Sequence, residues 1–397
     1  MLVILEWVLW SSVTMLVIVN IGYPLLLAVS WPLLRRHAVA TKVAPSAPPV
    51  MLIVAAYNEE SVIARKLENC LQLDYPRDKL QIVVASDGST DRTEEIVESY
   101  AARDIVLAKF PRTGKTGIQN RLARCARADI LVFSDANAFY RADAIDKLVR
   151  HFAAPSVGGV CGQLVYRVRD AAAGRSERLY WDYEKFMKLR ESALSSVVGA
   201  NGSIYAVRRS DYVPIDDGLI SDLVEPLALV RSGKRVVYEP EAISEEEPSD
   251  SYGIEFRRKV RILTRSIVGL ISMRELLNPL RFGIFSLQLI MHKLLRFVTP
   301  LFLIFAVVAL TGLAVAGRYL PVFVMTATGI AVALLVGRTV SAVRMNAIVR
   351  CCHLAYYYLM VNYALMLAWA NVWHGRRMAL WSPERTEPRD RSRGSTI

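Results

Sequence analysis

The chain predicts an α/β domain with a mostly parallel sheet, placed between membrane-spanning helices at both ends. Three observations carry this. Short apolar runs ending in polar clusters alternate with helix-spaced segments from Val50 to Asn137. Four long runs contain no Asp, Glu, Lys or Arg, one near the N-terminus and three near the C-terminus. Cations gather beside those runs instead of spreading along the chain.

The 397 residues are 53% hydrophobic, and the excess sits at the two ends. Trp7 to Leu34 is free of charge, longer than the roughly 20 apolar residues that cross a bilayer as helix. No basic segment precedes it and no small-residue cleavage site follows, so an anchor is expected in place of a removed leader. Phe297–Gly317, Tyr319–Gly337 and Cys351–Trp373 are charge-free too. Buried core helices are the alternative, but soluble helices rarely lack charge for so many turns.

The net charge is +12. Arg35 and Arg36 follow the first run; Arg257, Arg258, Lys259, Arg261 and Arg265 precede the second. Lys and Arg mark the cytoplasmic side, which puts the intervening segment in the cytoplasm. A basic chain also suits nucleic acid, but no motif for it is present, and no nucleic-acid partner is expected. The five cysteines, Cys70, Cys125, Cys161, Cys351 and Cys352, are odd in number and form no CxxC pair. Neither a disulfide framework nor a zinc site follows from them.

Ala44–Pro49 is a Pro-rich linker that opens the domain. "VMLIVAAYNEE" reads as a strand ending in polar residues, and "SVIARKLENCLQL" as a helix. "LQIVVASDGSTD" and "RTEEIVESYAAR" repeat the pair, "DIVLAKF" is a third strand, "TGIQNRLARCARA" a helix and "DILVFSDAN" a fourth strand. Alternation of this kind means βαβ units and a mostly parallel sheet, whose ligands gather at strand C-termini. The clusters Tyr57–Glu60, Asp87–Asp91 and Ser134–Asn137 all fall there. "RTGKTG" at 112–117 imitates a P-loop without its first glycine, and no GxGxxG occurs. Phe256, Val260, Leu263, Ile267 and Leu270 recur every three or four residues between Tyr252 and Leu277, with cations on the other face. That is a basic amphipathic helix suited to the headgroup region; a surface helix packed on the domain is the other reading.

Asp135 and Asn137 are two oxygen ligands at i and i+2. Mg²⁺ and Mn²⁺ bind one or two carboxylates and complete their shell from phosphates, so the pair suits a nucleoside diphosphate. A helix cap explains the same residues equally well. Asp87 ends a second strand, where its carboxylate can accept bonds from a nucleobase or ribose, and Asp91 is placed to cap the next helix. Asp222, before an apolar helical pattern with Glu225 one turn on, has the chemistry of a general base toward an acceptor hydroxyl.

The ordered series "AYNEE", "SDGSTD", "GKTGIQN", "FSDANAF", "VGANGSIYAVRR", "ISDLVEP" and "RRKVRILTRS" resembles the membrane-bound family 2 glycosyltransferases, from about Pro49 to about Pro300. Hyaluronan, chitin, cellulose and poly-N-acetylglucosamine synthases are of that kind. The resemblance implies a GT-A nucleotide-sugar-binding fold, a UDP-sugar donor and inversion at the anomeric carbon. It assigns Tyr57, Glu59, Asp87, Lys115 and Asn120 to the donor nucleotide, and Asp135 and Asn137 to Mg²⁺ or Mn²⁺. It assigns Gly199, Ala200, Asn201 and Gly202 to the acceptor, Arg258 and Arg261 to the diphosphate, and Asp222 to the general base. Four positions depart from the family pattern. Asn137 stands for an Asp, Ser221 for a Glu and Arg258 for the Gln of Q-x-x-R-W, and Ile262 replaces its Trp. The last removes a stacking platform for the acceptor sugar. Tyr180, Trp181, Tyr183 and Tyr205 are candidates for lining a sugar path, although core positions suit most of them.

The expected organisation is an anchor over 1–37, a cytoplasmic GT-A domain over 45–250, interfacial helices over 251–296, transmembrane helices over 297–374 and an Arg-rich tail over 375–397. The tail's six arginines against three acids favour the cytoplasmic side, which requires one C-terminal run to be re-entrant or interfacial. Processive polysaccharide synthesis at the inner membrane is the expected function, and single-sugar transfer to a lipid the alternative. The partners expected are the UDP-sugar, a polysaccharide or lipid-linked acceptor, and membrane lipids.

Overall fold

The computed structural model describes residues 1–34, 47–166, 172–247, 252–339, 347–376 and 378. Arg35, Arg36, part of the expected linker, the side chain of Tyr180 and nearly all of the C-terminal tail lie outside the described residues.

Eight strands form one sheet: β1 (Val50–Ala56), β2 (Leu80–Asp87), β3 (Ile105–Phe110), β4 (Ile130–Asp135), β5 (Phe139–Tyr140), β6 (Val157–Tyr166), β7 (Tyr205–Arg208) and β8 (Arg235–Glu246). Their order is β3-β2-β1-β4-β7-β6-β8-β5. β3, β2, β1 and β4 are parallel, β7 runs against β4 and β6, and β6 and β8 are again parallel.

The helices of the domain are α3 (Ile63–Leu71), α4 (Thr93–Glu98), α5 (Lys115–Cys125), α6 (Ala144–Val149), α7 (Ala172–Leu194), α8 (Ser221–Arg231) and α9 (Tyr252–Ser272). α1 (Leu2–Val17) and α2 (Tyr23–Leu34) precede them. α10 (Pro279–Phe282), α11 (Ile284–Leu289), α12 (Leu295–Phe297), α13 (Thr299–Val315), α14 (Leu320–Thr339) and α15 (Ala347–Trp373) follow.

The strand periodicity explains the layers. Val50, Leu52, Val54 and Ala56 enter one core with Ile63, Leu67 and Ile82, while Met51, Ile53 and Ala55 enter the opposite core with Ile118 and Leu131. A sheet covered on both faces needs continuous apolar strands, and all seven residues of β1 are buried. The register sets the strand ends level: Ala55 pairs with Asp135 and Ala56 with Ser86. The polar clusters that follow therefore emerge along one edge.

α4 stops earlier than the helical spacing over 92–103 predicts. After Glu98 the chain makes a 3₁₀ turn and Asp104 adopts φ 60°, a left-handed conformation no helix continues through.

Among the described residues three helices are long and apolar enough to cross a membrane: Leu2–Pro32, Leu320–Gly337 and Ala347–Trp373. Ile284–Phe297 and Thr299–Val315 form a pair bent by 53°, a broken span or a re-entrant loop. α1 packs on α13 through Leu9, Ala309, Leu310 and Leu313, and Arg318 bonds Glu6 at 2.7 Å.

A buried ionic joint ties α7 to this membrane half. His292 Nδ1 lies 2.8 Å from Glu191 Oε1 and its Nε2 3.2 Å from Glu184 Oε2; Arg296 donates to Glu184 and Tyr23 to Glu191. Burial disfavours the charged Glu184, but Arg296 and His292 overcome it and hold the carboxyl well below its usual range.

The amphipathic segment forms α9, and α9 packs on the domain. Its apolar stripe is covered by protein: Phe256 stacks on Tyr363 of α15 at 5.6 Å, and Ile267 and Leu270 share a core with Leu223 and Val224 of α8. One cation, Arg265, is buried and faces inward, since the helix is wedged between α8 and α15.

Candidate functional site

Topology brings distant segments to the end of β4. Because β7 runs antiparallel to β4, with Phe133 paired to Tyr205, the loop entering β7 lies beside the C-terminus of β4. That loop is Gly199–Gly202. α8 begins against it, with Ala200 N donating to Asp222 O at 2.7 Å.

Lys115, the first residue of α5, joins the parts. Its ammonium pairs with Asp135 Oδ1 and donates to Gly202 O at 3.0 Å. A Cβ placed on Gly202 would stand 2.9 Å from Asp222 Oδ2 and 3.2 Å from Lys115 Nζ. The base candidate and the lysine thus crowd one point, the lysine carries the strand-end acid Asp135 with it, and a side chain at 202 would displace them.

Asp222 is half-buried. Burial raises its pKa, Lys115 and Arg265 pull it down, and Asp135 pushes it up again. Arg265 also donates to Leu219 O at 2.8 Å, which fixes the approach to α8. One turn beyond, Glu225 is buried, accepts a bond from Tyr205 Oη at 3.0 Å, and is pushed up to about 8 by desolvation.

Asp135 and Asn137 are partly exposed while Ala136 and Ala138 are buried, so the two oxygen-bearing residues share the open side of the turn after β4. Among the described residues no three His, Cys, Asp or Glu side chains gather as a metal cage. Oxygen donors carrying a single charge fit a hard cation that draws its other ligands from phosphate.

Asp87 is fully buried and accepts from Arg112, from Thr113 N at 2.7 Å and from Gly114 N at 3.0 Å. The P-loop-like amides are thus turned inward onto Asp87, with Gly114 at φ 90° making the turn into α5. The Arg112 guanidinium lies 3.3 Å over the Tyr57 ring. Asp91 accepts from Thr93 N at 3.0 Å just ahead of α4; the N-cap position itself is Arg92, one residue later than the sequence predicts. Glu59 is buried, with its N–H on Thr93 Oγ1 at 2.7 Å. Asn120 is spent on the loop before α8: it donates to Ile215 O and Asp217 Oδ1, each at 2.7 Å, and accepts from Tyr212 Oη.

Arg258 reaches Tyr166 Oη at 3.1 Å, at the end of β6, and Arg261 lies one turn before Arg265 on α9. Tyr205 is core, stacked on Phe133 at 4.8 Å, and lines no sugar path. Trp181 packs edge-on to Tyr166, and Tyr183 joins the cluster around Tyr23.

Sequence reasoning missed Arg112, Arg265, Lys188 and Cys161 as parts of this site. Lys188 donates to Asn201 Oδ1, and Asn201 N donates to Cys161 Sγ at 3.2 Å, so both stiffen the 199–202 loop. Nothing in their local spacing marks them; only the fold brings α7 and β6 under that loop.

Residues 51–213 match the family Glycosyl transferase family 2. Over 118 residues the chain is 34% identical to the beta-monoglucosyldiacylglycerol synthase of Synechocystis sp., covering 28% of this chain and 25% of that protein. It is 24% identical to the poly-beta-1,6-N-acetyl-D-glucosamine synthase of Staphylococcus aureus over 220 residues, 53% of each chain. The matched part thus spans about half or less of these relatives. Among solved structures it is similar to the mannosyltransferase PcManGT from Pyrobaculum calidifontis, in complex with GDP-Man and Mn2+. The TM-score is 0.68 at 24% identity, over 93% of this chain and 99% of that one. That likeness shows the fold, which is GT-A-like.

Proposed function

Because residues 51–213 match the glycosyl transferase family 2 model, we propose that the chain is a glycosyltransferase that moves a sugar from a UDP-sugar, with inversion, to a hydroxyl of a membrane-held acceptor. The observation that carries this is the meeting of Asp135, Lys115, Gly202 and Asp222. On this reading a lysine suited to a diphosphate stands beside a half-buried carboxylate suited to act as base.

Asp135 and Asn137 would hold Mg²⁺ or Mn²⁺ together with the donor's phosphates. When bound, the cation supplies charge stabilisation of the departing diphosphate. Lys115 adds a positive charge at the same place, and Arg258 and Arg261 approach from α9. Asp222 takes the proton from the attacking hydroxyl at its carboxylate; burial makes it a stronger base while Lys115 and Arg265 oppose that rise. Tyr57 and Arg112 offer the nucleobase a flat cationic face, and Asp87 and Glu59 order the loops behind it. Asn120 acts on the donor side through its hold on the 215–217 loop. Gly199, Ala200, Asn201 and Gly202 edge the acceptor side.

Single addition to a lipid is the reading the geometry favours. Ile262 is packed against the α8 core and offers no stacking platform, and Tyr205 is core. Chain extension is the second reading, favoured by the likeness to a polysaccharide synthase. The catalytic domain faces the cytoplasm at the bacterial inner membrane, where the donor is made and where the cations of α9 meet the apolar helices.

The test is nucleotide release by purified protein across UDP- and GDP-sugars with Mg²⁺ or Mn²⁺, followed by product sizing. One lipid-extractable sugar supports the first reading and a ladder the second. No release with any donor overturns both.

A further inference from the structure

α3 places Lys66 where a charge has no ordinary reason to be. The side chain is 0% exposed, and desolvating an ammonium is costly unless its protons find acceptors. Here they do. Nζ donates to Ser134 Oγ at 2.8 Å and to Ala138 O, and lies 4.2 Å over the Tyr140 ring.

The two oxygens flank one turn. Ala138 N bonds Asp135 O at 3.2 Å, closing the four-residue turn Asp135–Ala138, and Ser134 Oγ donates to Asp135 O at 3.1 Å. Lys66 therefore grips the turn at both ends from beneath, with Ala136 and Ala138 on its side and Asp135 and Asn137 on the other. The grip has a rigid base. Asn69, three residues on, exchanges bonds of 2.8 Å with the Tyr140 backbone in both directions. Tyr140 Oη reaches Phe133 O and Ser203 O, each at 3.0 Å, so the same unit touches the residue after Gly202. A short turn carrying two adjacent oxygen ligands has little stiffness of its own.

We propose that Lys66 is a positioning residue whose buried amino group staples the Asp135–Ala138 turn and thereby sets the spacing of Asp135 and Asn137 for a divalent cation and a diphosphate. This rests on the reading of those two residues as ligands given above. Lys66 touches neither ion nor substrate; it acts through the turn. Groups that orient metal ligands from behind govern affinity for the metal.

The test uses full-length protein in detergent, with Mn²⁺ binding followed by electron paramagnetic resonance in the presence of UDP, UDP binding in chelator followed by calorimetry, and thermal unfolding. Lys66→Met is expected to weaken Mn²⁺ binding by about 10–100-fold, the range seen when such orienting partners are lost. UDP binding in chelator stays at the wild-type value. Ser134→Ala removes one leg of the staple with less disturbance and shifts Mn²⁺ binding the same way by less; it decides the matter if Lys66→Met does not fold. Variants that melt at lower temperature yet bind Mn²⁺ with wild-type affinity would show Lys66 to be a packing residue, and the proposal falls. A wild type that binds UDP without recruiting Mn²⁺ removes the metal reading and this proposal with it. A wild type that binds no UDP removes the functional reading itself.

Discussion

Gly202→Ala puts one methyl group into the point that Asp222 and Lys115 share. Its Cβ would stand 2.9 Å from Asp222 Oδ2 and 3.2 Å from Lys115 Nζ, whereas non-bonded carbon contacts settle at about 3.5–4.0 Å. The carboxylate must retreat by roughly half an ångström or more to restore an ordinary contact. Both crowded atoms end side chains that can rotate, so the strain is relieved locally and the fold bears little of it. Catalysis bears it instead: a displacement of about 1 Å in a reacting group costs about 10²-fold in rate, so a loss of about 10–10²-fold in kcat is expected. Gly329→Ala on α14, away from the site, is the control. Its Cβ would meet nothing within 4 Å, so turnover should stay near the wild type. The assay is nucleotide release at saturating donor, with thermal unfolding in parallel. Wild-type turnover in Gly202→Ala, or equal losses in the two variants, would refute the reasoning.

Other outcomes follow from the electrostatics. Arg265→Met removes a charge that lowers the Asp222 pKa, so the acid limb of the kcat–pH profile should move to higher pH; an unmoved limb argues against Asp222 as the base. Glu225 has its carboxyl raised to about 8 in the folded protein from an ordinary 4.5. The native state therefore holds a proton that the unfolded chain releases. This stability is fully present below about 4.5 and is lost as pH rises through about 8, at up to about 1.4 kcal/mol per pH unit. Glu225→Gln, which keeps an acceptor for Tyr205, should flatten the fall in melting temperature between pH 6 and 9; an identical slope in both proteins contradicts the assignment. Chelation of divalent cations should abolish turnover and Mn²⁺ should restore it, measured by nucleotide release; full activity in chelator argues against Asp135 and Asn137 as ligands.

Much of the domain is legible in the sequence because parallel strands buried on both faces must be apolar throughout. Val50–Ala56 and Ile130–Asp135 are of that kind. Their polar ends announce the edge where the site forms. The convergence of Asp222 on Asp135 is not written in either segment: it depends on β7 turning antiparallel and carrying the 199–202 loop back to β4. Arg265 is hidden for a different reason. On a helical wheel it belongs with the solvated cations, and only the wedge of α9 between α8 and α15 turns it inward. Lys66 reads as one more charge on an amphipathic helix until the turn above it is seen. The bend of 53° between Ile284–Phe297 and Thr299–Val315 is likewise invisible to hydropathy, which sees only a charge-free run from Phe297.

The most direct measurement compares transfer with donor binding in Asp222→Asn, which keeps size and hydrogen bonding but removes the base. The account predicts that transfer falls by about 10²–10⁴-fold while Mn²⁺-dependent UDP binding stays at the wild-type level. Full transfer in that variant would contradict it.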